Sequence, residues 1–94
     1  MPHPPATSTV QSDNDRLRIT LWRFAPGEAT GAHRHEYDYI VVPLTTGEFT
    51  IVSNTGEQPF AMTAGTSYTR LAGVEHDVVN TSDDELGFVE IELK

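Results

Sequence analysis

Polar and apolar positions alternate along most of this chain, and the alternation breaks at clusters rich in glycine, proline, asparagine and threonine. Side chains on an extended strand point to opposite faces in turn, so a period of two predicts strands. From Arg16 the pattern puts Leu17, Ile19 and Leu21 on one face and Arg16, Arg18 and Thr20 on the other. Trp22 and Phe24 continue the second face, which turns apolar towards its end. Packing at a barrel rim or against a second subunit explains Trp22 better than a ligand role. Ala25-Pro26-Gly27 ends this strand with turn chemistry.

Residues 37–44 are apolar on both faces, as in a strand covered on both sides, with Pro43 marking an edge or bend. After Gly47, Phe49 and Ile51 alternate with Thr50 and Val52, and Asn54-Thr55-Gly56 reads as a hairpin loop. Short strands are expected over residues 59–62 and 67–71. Next, His76, Val78 and Asn80 share a face opposite Asp77 and Val79. At the end Gly87, Val89, Ile91 and Leu93 alternate with Phe88, Glu90 and Glu92, a closing strand expected to turn an acidic face outwards. No helical period or internal repeat is evident. About eight short strands at this spacing suit an all-β barrel or sandwich.

Residues 1–9 carry three prolines and little to bury, and read as a flexible tail before one domain over residues 10–94. A core of that size gains from a bound metal or a second subunit. Six basic against fourteen acidic residues give a net charge of −8, which opposes nucleic acid and anionic membrane surfaces. The absence of cysteine excludes disulfides and thiolate chemistry. With no secretory leader pattern and no apolar run of membrane-spanning length, a soluble cytoplasmic protein is expected.

The candidate chemistry sits in Gly31-Ala32-His33-Arg34-His35, just before the apolar strand. Two histidines two residues apart on a strand share a face, with Cα atoms roughly 7 Å apart. Their imidazoles can converge on one ion at about 2.0–2.1 Å from each nitrogen. His76 follows forty-one residues later, and the fourth histidine, His3, lies in the proline-rich tail. No phosphate loop, nucleophile elbow, paired carboxylates or EF-hand competes with this set.

The spacing around these histidines resembles the cupin superfamily. Gly27, five residues, His33, one residue, His35 and the later Gly47 resemble its first motif. Gly65, five residues, Leu71, one residue, Gly73, two residues, His76, three residues and Asn80 resemble its second, with Leu71 where proline is usual. The resemblance implies an antiparallel double-stranded β-helix, or jelly-roll barrel, with the metal ligands inside its mouth. It also implies a homodimer, for which Trp22, Phe24 and Phe88 are the expected outer apolar positions.

One departure bears on chemistry. The family's glutamate ligand, three or four residues beyond the second histidine, is replaced by Tyr39 or Ile40. Strand parity puts Tyr37, Tyr39 and Val41 on the face of His35, so Tyr39 takes the acid's place, whereas a bulge would put Ile40 there. Asp38 or Glu36 substitutes only if the strand is distorted. His33, His35 and His76 are therefore the expected ligands of a divalent transition metal, with Fe, Zn, Ni, Mn and Cu all admissible. Tyr39 is expected to hydrogen-bond a ligand of that ion, while Arg70 and Glu75 read equally as residues near the mouth and as ordinary surface charges. Two function classes follow. One is a metal-dependent oxygenase, isomerase or lyase acting on a small carbonyl or carboxylate compound. The other is a non-catalytic cupin module that binds a small ligand or associates with itself.

Overall fold

The structure is a computed structural model describing residues 3–94. Among the described residues nine strands form and no helix is long and apolar enough to cross a membrane. The strands are β1 (Thr7–Asp13), β2 (Leu17–Phe24), β3 (His33–Arg34), β4 (Asp38–Pro43), β5 (Gly47–Ser53), β6 (Gly56–Met62), β7 (Tyr68–Arg70), β8 (Glu75–Val79) and β9 (Leu86–Leu93). They make two antiparallel sheets, a five-stranded one in the order β1-β2-β9-β4-β7 and a four-stranded one in the order β3-β8-β5-β6. The fold is the expected double-stranded β-helix.

Inward side chains from both sheets fill one end of the barrel. Phe24, Phe49 and Phe88 pack there with Val41, Met62, Val78 and Leu86, all buried. Phe24 meets Phe49 edge-on with ring centroids 4.9 Å apart, a favoured arrangement for aromatic pairs. β2, β4 and β9 bury alternate residues, so the period read along these strands is the period found.

Which face points inwards is another matter. In β2 and β9 the inner face carries Thr20, Phe24, Phe88, Glu90 and Glu92, all buried. The purely apolar series faces out: Leu17, Ile19, Leu21, Val89 and Ile91 are half-exposed, and Leu93 is exposed. The expected acidic outer face of the closing strand is thus an acidic inner face. Phe24 and Phe88 are likewise core residues, and Trp22 lines an internal cavity, so these three do not supply an outer apolar surface. The reason lies in the register. Ile19 pairs with Ile91 and Ile91 with Ile40, while Leu21 pairs with Val89 and Val89 with Val42. These rows form one apolar stripe across three strands on the outside of the sheet.

The N-terminal segment also departs from expectation. Thr7, Ser8 and Thr9 belong to β1 and pair with Arg23, Trp22 and Leu21 of β2. Ahead of them, Ala29 N donates to Pro4 O at 3.0 Å and Ala6 N donates to Ala29 O at 2.8 Å. Residues 4–9 are therefore held by backbone hydrogen bonds to an edge, which needs no apolar side chains. Residues 1 and 2 of the expected tail lie outside the described residues.

Candidate metal centre

The loop after β2 is stitched to the far end of β8. Gly27 N donates to Asn80 O at 2.8 Å, Asn80 N to Glu28 O at 2.8 Å, and Thr30 N to Val78 O at 3.0 Å. Gly31 then turns the chain with φ of 85°, a left-handed conformation that suits glycine. This delivers His33 directly opposite His76 on the β3–β8 ladder. Beyond β3 the chain stays tied to the same edge, since His35 N donates to Val74 O at 3.0 Å and Gly73 N to His35 O at 2.8 Å.

The three rings converge. His33 Nε2 lies 2.9 Å from His35 Nε2, and His35 Nε2 lies 3.1 Å from His76 Nε2. Ligands at right angles around an ion about 2.1 Å away would be about 3.0 Å apart, against about 3.4 Å for a tetrahedral set. Both spacings match adjacent positions around an octahedral ion, a geometry that leaves further positions open for a substrate. His33 Nδ1 donates to Gly31 O at 2.8 Å, which leaves its Nε2 lone pair for the centre. Burial lowers His35 and His76 to about 4, with the neighbouring His33 adding to both shifts, so both rings are neutral at pH 7. Neutral, converging imidazoles are what a transition ion requires, and this set can hold one. His3 is elsewhere, its Nδ1 3.2 Å from Gly27 O.

Tyr39 takes the place that parity assigned to it. It is buried with His35 and Val41, and its ring stacks on His35 with centroids 3.9 Å apart. Ile40 lies on the other face, so no bulge intervenes. Burial pushes the Tyr39 phenol upwards, against ionisation. Asp38 is exposed and accepts a hydrogen bond from Ala72 N at 2.8 Å, and Glu36 is exposed as well. No carboxylate stands in for the family's glutamate among the described residues.

His33 and His76 line a cavity of about 350 Å³ between the sheets. Its walls include the aromatic side chains of Trp22, Phe49, Phe60, Tyr68 and Phe88. Arg70 and Glu75 border it too. The Arg70 guanidinium carbon sits 4.5 Å from the Tyr68 ring centroid and 5.5 Å from that of Phe60, so the cation is braced on two rings. Burial raises the Tyr68 phenol to about 12. Asn80, fully buried, serves the scaffold. Its Nδ2 donates to Phe24 O and Asp84 O at 3.0 and 2.8 Å, and its Oδ1 accepts from Ser82 N and Oγ at 3.0 and 2.7 Å.

Glu90, expected on an outer acidic face, and Trp22, expected at a rim or a subunit contact, both line the cavity. Glu90 is buried, and burial first, then the nearby Glu92, raises it to about 7. The signal was present in the alternation of β9, where an acid shares a face with Phe88, but the stronger apolar series on the opposite face pointed the wrong way.

Comparison with known proteins agrees with this geometry. The model of the cupin domain family matches residues 20–92. The β-alanine degradation protein BauB of Pseudomonas aeruginosa is 50% identical over 91 residues, covering 97% of this chain and 96% of that protein. The crystal structure of a cupin domain from Bordetella pertussis Tohama I is 53% identical with a TM-score of 0.96, covering 100% of this chain and 98% of that one. A cupin superfamily protein from Desulfitobacterium hafniense DCB-2 shares the fold at 20% identity and a TM-score of 0.74, covering 99% of this chain and 81% of that one.

Proposed function

Since the chain belongs to the cupin family, we propose that it is a metal-dependent enzyme acting on a small carbonyl or carboxylate compound. The relative named for β-alanine degradation suggests that this compound arises in the breakdown of a short amino acid. The observation that carries the reading is the convergence of three Nε2 atoms beside a cavity that His33 and His76 line. His33, His35 and His76 are the proposed ligands of one divalent transition ion, with Fe, Zn, Ni and Cu suited to imidazole and Mn the less suited candidate. Held by neutral ligands, such an ion keeps its full charge and supplies Lewis acidity to an anionic or chelating oxygen. The chain's own residues do the rest. Gly31 O orients His33, the Tyr39 ring holds His35 in place, and the aromatic walls keep water from the reacting end. Arg70, braced on Tyr68 and Phe60, presents N–H donors for a carboxylate at the mouth.

The same reading includes a homodimer. The outer stripe of Ile19, Ile91, Ile40, Leu21, Val89 and Val42 is the surface a second copy would cover. Light scattering at micromolar concentration should give twice the chain mass, and a monomer would remove this part of the proposal.

The function is tested by metal analysis of protein purified without chelator or nickel resin, followed by a screen of short oxo- and hydroxy-acids with the loaded protein. About one transition ion per chain is expected, lost in His33→Ala, His35→Ala and His76→Ala alike. A parent protein that neither carries nor takes up a transition ion overturns the enzyme reading. A loaded protein that leaves every compound unchanged is a ligand-binding module instead.

A further inference from the structure

Two polar groups on the inner wall of the cavity have no use in the site described so far. Trp22 Nε1 is buried with no hydrogen-bond partner among the described residues. Glu90 is 9% exposed, lines the same cavity, and also has no hydrogen-bond partner among the described residues. The obvious cation is spoken for, because Arg18 Nε and Nη2 bind both oxygens of Glu92, at 3.0 and 2.9 Å. Trp22 and Glu90 are neighbours by register: Trp22 pairs with Phe88 and Thr20 with Glu90, so the two lie diagonally across the β2–β9 ladder on its inner face. Diagonal residues lie about 7–8 Å apart at the backbone, within reach of one another's long side chains. Buried polar atoms are nearly always paired in a native protein, and leaving them unpaired is costly.

We propose that Trp22 and Glu90 together bind a hydroxyl group of the small compound that occupies the cavity. The chemistry selects this group. An indole N–H can only donate, so its partner must accept. A carboxylate can only accept and a carboxylic acid can also donate, so the partner of Glu90 must serve either state. A hydroxyl accepts from Trp22 and, at the same time, donates to the Glu90 carboxylate or accepts from its acid form. An ammonium group has no lone pair for Trp22, and a methyl group satisfies neither residue. The substrate class narrows to a short hydroxy acid or a hydrated aldehyde acid. This rests on the cavity being the substrate site, and it adds two residues to the histidine set.

Calorimetric titration with propanoate, 3-hydroxypropanoate and β-alanine tests it, since these acids differ only at the third carbon. The titrations are run on metal-loaded and metal-free protein, with metal content measured on the same samples. The hydroxy acid should bind the parent about tenfold or more tighter than propanoate, the scale of a hydrogen bond to a charged group. Glu90→Leu and Trp22→Phe should each bring that ratio close to one. Trp22→Phe deletes the N–H while keeping a ring, so it stands as the test should Glu90→Leu fail to fold. Equal binding of the two acids by the parent, a preference that survives in the variants, β-alanine binding at least as tightly as the hydroxy acid, or no binding of any acid each overturns the proposal. Failure to take up metal counts against the enzyme reading alone, because the preference is also read on metal-free protein.

Discussion

Arg18 and Glu92 face each other across the β2–β9 ladder and form a two-pronged ion pair, with N–O distances of 3.0 and 2.9 Å. The consequence falls on a third residue. With Arg18 engaged in this way, Glu90 stands two residues along the same inner face with no hydrogen-bond partner among the described residues and is raised to about 7.

That shift sets a pH dependence. An acid whose folded-state value lies above its ordinary 4.5 holds its proton longer in the folded protein. The stability it contributes is present below about 4.5 and is lost as pH rises through about 7. The loss amounts to at most roughly 3 kcal/mol. Metal-free Glu90→Gln should therefore melt several degrees above the parent at pH 8, with the gap narrowing towards pH 5. Melting curves of both proteins across that range decide the matter, and a gap independent of pH would rule out a buried, titrating Glu90.

Tyr39→Phe should leave metal stoichiometry unchanged. The ring stacked 3.9 Å from His35 is kept, and burial disfavours the phenolate that a direct ligand would require. Elemental analysis of the two proteins side by side is the measurement. A substantial loss of metal would make the phenol oxygen a ligand.

Asn80→Ala should destabilise the protein by roughly 2–4 kcal/mol, because it removes both donors and the acceptor of a fully buried amide and leaves its backbone partners unpaired. Denaturant midpoints report this directly. A loss under about 0.5 kcal/mol would mean that residues 80–84 hold their shape without the side chain.

Removing residues 1–9 should lower the melting temperature by more than about 4–8 °C, the shift that accompanies roughly 1 kcal/mol in a domain of this size. The cut deletes three of the six paired positions of β1 and the contacts of Pro4 and Ala6 with Ala29. An unchanged melting temperature would show that these backbone bonds add nothing to stability.

Much of the site was legible in the chain. Two histidines at strand spacing with small residues ahead of them mark the candidate metal site, because period-two geometry is local, and a third histidine at the start of a later strand completes the candidate set. The same parity placed Tyr39 behind His35. What alternation cannot record is which of two faces lies inside. In β2 and β9 that was decided by registers with distant strands, which align Ile19, Ile91 and Ile40 on the outside and turn Glu90 and Trp22 towards the cavity. Nor does side-chain pattern mark β1, which is exposed along its whole length and joins the sheet through its backbone. The sequence by itself thus determined most of the strands, their turns and the shared face of His33 and His35, all consequences of neighbouring residues. The tertiary structure alone decided the lining of the cavity, the meeting of His76 with the other two imidazoles and the outer apolar stripe, because each depends on pairings between residues far apart in the chain.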